Sequence, residues 1–160
     1  MNIRLLSHDD WEQVKEIFSE GIKTGISTFE TQSPPWEQWK SDHFLNCSIV
    51  AENDSLILGW AALARVSSRC CFTGVAEVSI YVREGIRGKG VGDILMKELI
   101  QLAEAEGFWT LQSGIFPENN ASVKLHLKHG FREVGRREKI GQQNGAWKDI
   151  LLFERRSSNF

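Results

Sequence analysis

A glycine-rich, basic segment directly follows an apolar run, and it is the part of the sequence best suited to bind an anion. Residues 76–82, AEVSIYV, predict a strand, and the next ten residues hold four glycines and three basic side chains. Glycine lets the backbone approach a ligand closely, so that successive N–H groups can point at one anion. A helix predicted to begin at Val91 adds the positive end of its dipole. We therefore expect residues 87–92 to hold a phosphate or pyrophosphate, the alternative being a basic surface turn.

Two common phosphate-binding patterns do not fit this segment. A P-loop needs Lys followed by Ser or Thr after its second glycine, whereas Val91 and Gly92 follow Gly90 here. In the dinucleotide pattern G-x-G-x-x-G, counted from Gly88, Asp93 stands at the third glycine. Asp93 would also be a poor neighbour for a pyrophosphate, because both are negatively charged.

Hydrophobic periodicity predicts the elements that must position this segment. The predicted strands are residues 3–6, 48–51, 56–64, 76–82, 109–116 and 146–153, and the predicted helices are residues 10–21, 36–44, 91–106 and 120–130. Asn144-Gly145 is a strong hairpin signal. Strands come first and then alternate with helices, which favours an α/β or α+β three-layer sandwich on a mixed sheet. A ligand is expected at the carboxyl ends of the middle strands.

Length and composition predict one domain over residues 1–160, long enough to bury a core without metal or disulfide. The chain is 41% hydrophobic and 25% charged, which argues against disorder, and its net charge of −2 gives no indication of nucleic-acid or membrane partners. No signal peptide or membrane span is evident, so we expect a cytoplasmic protein. The three cysteines match no metal-ligand spacing and are expected to be small buried hydrophobes.

The segment Arg87-Gly88-Lys89-Gly90-Val91-Gly92 resembles the R/Q-x-x-G-x-G/A acetyl-CoA motif of the GCN5-related N-acetyltransferases (GNAT). The stretches TGISTFET, AEVSIYV, IFPENNASVKLHLKHGFREVG and GAWKDILLFERR are similar to the phosphinothricin acetyltransferase group, within it to the branch that includes arsinothricin acetyltransferases. This resemblance implies an α/β/α sandwich whose mixed sheet is splayed between the fourth and fifth strands, and it implies a homodimer. Trp147 and Asp149 match the group's Gly-x-Trp-x-Asp pattern and are expected to be structural or to line the dimer.

The resemblance implies acetyl-CoA as co-substrate and requires no metal. The cofactor-binding residues that it implies are Ile80, Tyr81, Val82, Arg87, Gly88, Lys89, Gly90, Val91, Gly92, Asn119 and Ser122. The pantetheine arm is linear and rich in amides, so it can pair with the edge of residues 80–82 as another strand would. For Asn119 and Ser122, capping of the following helix is the alternative role.

Two residues are candidates for proton transfer under this resemblance. Glu77 stands where the family has a glutamate before Ser-x-Tyr-Val, and a carboxylate there could accept the amine proton directly or through water. Partial burial would make such a carboxylate a better base, and the alternative to this role is a glutamate on a solvated strand face. His126 takes the place of a family tyrosine that protonates the departing CoA thiolate, and it could equally be a packed histidine or a dimer contact. A backbone N–H near Ile80 is expected to stabilise the oxyanion.

Members of the group acetylate the α-amine of small amino-acid analogues that carry a second acidic head. Such a head needs a nearby cation, and Arg69 stands where the group often has an arginine, with Arg65 as a weaker candidate. Thr28 and Phe29 are expected to wall the acceptor pocket, the alternative for Phe29 being a place in the core. Ser67, Phe72 and Val75 stand where polar or basic side chains are usual, so those contacts are absent.

Other functions remain open at this point. The acceptor could be a polyamine, an aminoglycoside or a protein α-amine, but cationic acceptors would favour an acidic pocket. The chain could also be a CoA-binding sensor without turnover, against which Glu77 argues. A nucleotide-binding module is a further alternative, and the missing P-loop lysine counts against it.

Overall fold

The computed structural model describes the whole chain, Met1–Phe160, and its centre is a seven-stranded mixed sheet. The strands are β1 (Asn2–Leu5), β2 (His43–Asn53), β3 (Leu56–Arg65), β4 (Val75–Val82), β5 (Thr110–Ile115), β6 (Arg132–Gln143) and β7 (Ala146–Arg156). Their order in the sheet is β1-β2-β3-β4-β5-β7-β6. Only the β4–β5 pair is parallel.

Helices cover both faces of the sheet and give the expected three layers. They are α1 (Trp11–Lys23), α2 (Trp36–Asp42), α3 (Val91–Ala105) and α4 (Asn120–Lys128). On one face, α1 buries Val14 and Ile17 against β2 and β3, as the helical spacing of its apolar residues predicts. On the other face, α3 buries Leu95 and Leu99 in a second, larger core, against which Val123 and Leu125 of α4 also pack.

The sheet opens between its two central strands. β4 and β5 pair at three positions, and the last of these joins Glu77 to Gln112. Beyond it β4 continues to Val82, where it still pairs with Gly59 of β3 but no longer with β5. The mixed sheet that is splayed between its fourth and fifth strands is thereby confirmed.

The predicted strand list lacks β6, although the hairpin signal beside it is confirmed. Asn144 and Gly145 have φ of 50° and 78°, the left-handed pair that a two-residue hairpin turn requires. β6 is an edge strand, and nearly every one of its residues is exposed. Because neither face of β6 is buried, its sequence does not show the alternation by which a strand is recognised.

The cysteine prediction is correct for one residue and wrong for two. Cys47 is fully buried, and this burial raises the pKa of its thiol to about 12. Cys70 and Cys71 are exposed instead, because they lie in a short 3₁₀ turn of the β3–β4 loop that packs under neither core. All three thiols are free. No helix in the molecule combines the length and the apolar character needed to cross a bilayer.

Candidate active site

A large cavity lies where β4 and β5 separate. Residues 80–82 pair with β3 alone, so the edge of β4 that faces β5 has no partner strand. The cavity measures about 890 Å³ and is lined from both faces of the sheet. Because an extended, amide-rich ligand can pair with a free strand edge, this opening suits a linear ligand that lies along β4.

The loop between β4 and α3 has the backbone shape of an anion site. Gly85, Gly88 and Gly90 have φ of 76°, 78° and 86°, a left-handed conformation that residues with a Cβ rarely adopt. Gly90 is the N-cap of α3, and its carbonyl accepts from the N–H of Ile94 at 3.2 Å. The N–H groups of residues 91–93 therefore have no acceptor within the helix and add to its positive end.

The six residues of the basic motif differ in what they contribute to the cavity. Arg87, Gly88, Gly90 and Gly92 line it, Lys89 is exposed outside its lining, and Val91 is buried in the core under α3. The Nε–H of Arg87 donates to the carbonyl of Val82 at 3.1 Å, which holds the guanidinium at the end of β4. The loop thus combines free amides with one well-placed cation.

Asp93, an unexpected carboxylate in an anion site, is neutralised within the structure. It pairs with Lys128 at 2.6 Å and accepts from the Nε2–H of His129 at 2.9 Å. These partners, Lys128 first, hold the pKa of Asp93 below its ordinary value. Through Asp93 the start of α3 is joined to the end of α4, so His129 is a tertiary contact as well as the residue that ends α4.

Glu77 lies at the point where the sheet begins to splay. Its Oε2 accepts from Nε2 of Gln112 at 3.2 Å, across the last paired position of β4 and β5. The side chain lines the cavity and is exposed on its strand face. Gln112 was not a predicted site residue, and in this geometry it orients the carboxylate beside the free edge of β4.

The side chains of β4 line the cavity on both faces of the sheet, and each face packs on a different core. Ile80 and Val82 point to the side of α3 and pack on the larger core. Tyr81 points to the side of α1, where its ring stacks on Trp60 with centroids 4.9 Å apart. Burial raises the pKa of Tyr81, so its hydroxyl stays neutral in any physiological range. All three residues line the cavity, and their backbone forms its free edge.

Asn119 and Ser122 line the cavity at the beginning of α4. The Oδ1 of Asn119 accepts from the N–H of Ser122 at 3.2 Å, which is the N-cap hydrogen bond of the helix. The Nδ2 of Asn119 donates to the carbonyl of Ile26 at 3.2 Å. Both polar atoms of this side chain are therefore engaged, and capping, the structural alternative for Asn119, has direct support.

His126 lines the same cavity but is 1% exposed. Its Nδ1–H donates to the carbonyl of Ser122 at 2.7 Å, and its ring meets Phe131 edge-to-face at 4.9 Å. Burial lowers the pKa of His126 below its ordinary value, which favours the neutral ring. In that tautomer Nε2 carries no proton, and it has no hydrogen-bond partner. This geometry supports the packing alternative over the role of acid.

The segment between α1 and α2 covers the side of the cavity that faces α1. Thr28 and Phe29, the residues predicted to wall the acceptor pocket, both line this cavity. The carbonyl of Thr28 accepts from Nε2 of Gln143 at 3.0 Å, and Phe29 meets Phe116 edge-to-face at 4.8 Å. Contacts to β6 and to the end of β5 therefore hold this cover in place.

Arg69 does not reach the cavity. It precedes the exposed 3₁₀ turn of the β3–β4 loop, where its guanidinium lies 5.4 Å from the ring centre of Phe72. Arg65, the weaker candidate, lies over Phe44 at 4.3 Å. Neither arginine lines the opening, and the cation on the α1 side of the cavity is Arg137 of β6. Arg137 was not predicted, because β6 itself was not predicted.

A free strand edge, a glycine-rich loop at a helix N-terminus and a carboxylate thus share one opening, and the comparisons with known proteins identify the class of protein. The model of the acetyltransferase (GNAT) family matches residues 11–131. The chain is 34% identical over 163 residues to the protein YwnH of Bacillus subtilis (strain 168), covering 99% of this chain and all of that one. It is 30% identical over 159 residues to an L-methionine sulfoximine/L-methionine sulfone acetyltransferase of Salmonella typhimurium, covering 96% and 93% of the two chains.

A solved structure gives the same result for the fold. It is that of a GNAT superfamily phosphinothricin acetyltransferase from Sinorhizobium meliloti in complex with acetyl-CoA, which superimposes with a TM-score of 0.87 at 25% identity. The match covers 97% of this chain and 87% of that chain. The protein belongs to the GNAT family and is an acetyl-CoA-dependent acyltransferase. The resemblance found in the sequence, and the fold that it implied, are confirmed.

Proposed function

We propose that the protein transfers the acetyl group of acetyl-CoA to the α-amine of a small amino-acid analogue. The position of Glu77 carries this proposal: the carboxylate lies beside the cavity where the free edge of β4 begins. There it can take a proton from an amine while that amine meets a thioester held along residues 80–82. Detoxification of such analogues is the biological role that we propose for this activity.

Acetyl-CoA would be held by three parts of the chain. The pyrophosphate would accept from the free N–H groups of residues 91–93, with Arg87 supplying full charge. The pantetheine arm would pair with the free edge of residues 80–82. When bound, the thioester supplies the acyl carbon that an amine can attack.

The chain's own residues then act on the proton and on the developing charge. Glu77 accepts a proton from the acceptor amine, directly or through one water, so that the nitrogen lone pair is free to attack. A backbone N–H near Ile80 donates to the carbonyl oxygen as its charge grows. The nitrogen–carbon bond forms and the carbon–sulfur bond breaks, which releases CoA as a thiolate that takes a proton. Orientation in a ternary complex supplies much of the rate, without a covalent enzyme intermediate.

We propose that water supplies the proton that the departing thiolate takes up. His126 then has a packing role. The Nδ1–H of His126 is committed to the Ser122 carbonyl, and the lowered pKa leaves little imidazolium to donate from Nε2. The ring fills the space beside Phe131 and Phe153 under α4.

The acceptor is proposed from the relatives together with the cavity. The Salmonella relative is named for methionine sulfoximine and methionine sulfone, and the Sinorhizobium structure is named for phosphinothricin. These acceptors share an α-amine beside an α-carboxylate, and their side chains end in a tetrahedral oxygen-bearing group. Thr28 and Phe29 would wall such a side chain on the α1 side of the cavity.

We further propose a cytoplasmic homodimer. β6 is a twelve-residue strand at the edge of the sheet, and an unpaired strand edge offers a second copy backbone groups to pair with. The β6–β7 hairpin also exposes Val134, Ile140 and Trp147, whose side chains a second copy could cover. Three free cysteines, two of them exposed, suit a reducing compartment.

The experiment that tests the function is a free-thiol release assay with acetyl-CoA and a panel of amines. We expect turnover with phosphinothricin, methionine sulfoximine, methionine sulfone or arsinothricin, and little with spermidine or kanamycin. Mass spectrometry of the product should find one added acetyl group on the α-nitrogen. Preferred turnover of spermidine or kanamycin would contradict the amino-acid assignment. Tight CoA binding without turnover of any amine would favour the sensor alternative.

A further inference from the structure

The charged side chains that line the cavity lie on both faces of the sheet. On the face of α3 and α4, Lys128 is neutralised by Asp93, while Arg87 and Lys124 lie near the beginning of α3 and on α4. On the opposite face, with Glu77, the lining cation is Arg137. Arg137 is therefore the basic side chain of the lining that lies on the same face as Glu77.

Arg137 is unusual among the arginines of its hairpin because it has no partner. The other four are engaged by Glu154 (Arg132, 2.9 Å), Asp149 (Arg136, 2.7 Å), Glu104 (Arg155, 2.8 Å) and the Trp109 carbonyl (Arg156, 3.0 Å). No hydrogen bond, ion pair or cation–π contact is found for Arg137. All five donors of its guanidinium are free to bind an anion.

The strand register places Arg137 on the same face as Glu77. Glu77 is opposite Gln112 of β5, and Gly114, two residues further on, is opposite Leu152 of β7. Ile150, two residues from Leu152, is opposite Arg137. Residues directly opposite each other, and residues two apart in one strand, share a face. Arg137 and Glu77 are thus on two walls of one opening.

A β-bulge in β6 begins directly after Arg137. Arg137 is opposite Ile150, but Gly141 is opposite Lys148, so β6 carries two extra residues between these pairs. Asp149 holds this bulge, since its carboxylate accepts from the N–H of Lys139 at 2.8 Å and from Nε of Arg136 at 2.7 Å. Bulges redirect neighbouring side chains and are common beside active sites. Arg136 is drawn to Asp149 on one face, which leaves Arg137 to the cavity on the other.

We propose that Arg137 binds an anionic head at the end of the acceptor's side chain. This inference rests on the function proposed above and names the residue that selects among its substrates. β6 is the third strand from β4, and three strand spacings of ~4.8 Å separate their backbones by about 14 Å even without the splay. A group bound by Arg137 therefore lies several bonds from an amine beside Glu77, which fits a side-chain head better than the α-carboxylate. The guanidinium fork matches two oxygens of a phosphinate or a similar head.

The test compares two acceptors that differ in the charge of the head. Phosphinothricin has an anionic phosphinate, whereas methionine sulfone has a neutral sulfone, and both have the α-amine and the α-carboxylate. Arg137→Gln should lower kcat/KM for phosphinothricin by roughly 10- to 100-fold, the range of a charge-assisted hydrogen bond. For methionine sulfone the change should stay within about threefold. Arg132→Gln, on the same strand but paired with Glu154, is the matched control and should leave both values unchanged.

Calorimetry with CoA present separates this inference from the proposed function. Wild type should bind phosphinothricin, and Arg137→Gln should lose at least about tenfold in affinity while it binds CoA normally. Binding of phosphinothricin without thiol release would remove the proposed catalysis and leave the assignment of Arg137 intact. Equal losses for both acceptors would assign Arg137 to the shared α-carboxylate and overturn the inference. Unchanged binding of phosphinothricin by the variant, or no binding by wild type, would overturn it as well.

Discussion

At the scale of single residues, the carboxylate of Glu77 gives the most direct prediction. Glu77→Gln keeps the shape of the side chain and can keep the contact to Gln112. It removes the proton acceptor, so turnover should fall by about 10²- to 10⁴-fold while the affinity for acetyl-CoA stays the same. Thiol-release assays from pH 6 to 9 measure the turnover, and calorimetry with CoA measures the affinity.

The control for this variant is Glu133→Gln, which changes an exposed carboxylate of β6 outside the cavity. It should leave both turnover and affinity unaltered. Near wild-type turnover of Glu77→Gln over the whole pH range would mean that another group, or water alone, takes the proton.

Asp10 gives a prediction of pH-dependent stability. Its buried carboxylate forms two hydrogen bonds of 2.7 Å with Arg4, and Arg4 holds the pKa of Asp10 below its ordinary value of 3.8. Since the folded pKa is below the unfolded one, this stabilisation is complete above about pH 4 and is lost as the pH falls through the folded pKa. Asp10→Asn should therefore lower the free energy of unfolding by about 2 kcal/mol at pH 7.

Urea denaturation at pH 7 and pH 3 checks this expectation. The difference between Asp10→Asn and wild type should shrink at pH 3, because the carboxylate of the unfolded chain, with its ordinary pKa of 3.8, is largely protonated there and folding must release that proton. Asp9→Asn, an exposed neighbour without a partner, should change the free energy of unfolding by less than about 0.5 kcal/mol at either pH. An equal loss at both pH values for Asp10→Asn would show that packing, and not charge, is responsible.

At the scale of elements, the β4–α3 loop should bind CoA largely through charge and amides. Arg87→Ala removes the one cation of this loop that lines the cavity and leaves the N–H groups of α3 in place. The affinity for CoA should fall by about tenfold or more, and the loss should be smaller at high salt because the attraction is screened. Lys97→Ala, an exposed cation within α3, is the control. An unchanged dissociation constant in calorimetry would refute the pyrophosphate role of Arg87.

The elements also show which structural signals a sequence carries. α3 and the loop before it were predicted closely, because apolar residues at helical spacing and glycines with positive φ leave strong local patterns. β6 left no such pattern, because both of its faces meet solvent and a bulge interrupts its register. β6 is a strand because it pairs with β7, and no local sequence pattern records that pairing.

At the scale of the whole molecule, the sequence predicts a residue of the candidate site only where that residue belongs to a local motif. Glu77, Arg87 and Asn119 lie within or next to local motifs, so the sequence could point to them. Arg137 is one of 19 lysines and arginines, and only the folded chain shows that it lacks a partner and lines the cavity on the same sheet face as Glu77. Arg69 was predicted for the same chemistry because of its place in the family pattern, but its loop directs it to Phe72.

The last prediction concerns assembly, because a single chain leaves the edge of β6 uncovered. Trp147 is 58% exposed beside the hairpin turn, and β6 next to it has no further strand to pair with. Light scattering after size exclusion should give twice the chain mass of 18.2 kDa for wild type at micromolar concentration. Trp147→Lys should shift the mass toward one chain, because a charge in an apolar contact is costly to bury.

The control for assembly is Leu56→Lys, which places the same charge on an exposed apolar residue of β3, across the sheet from the hairpin. It should leave the dimer intact, so that a general effect of added charge is separated from an effect at the hairpin. Near-native circular dichroism of Trp147→Lys would show that the smaller mass is a folded monomer. A wild type with the mass of one chain would contradict the homodimer. A Trp147→Lys variant that stays dimeric would place the contact between copies away from this hairpin.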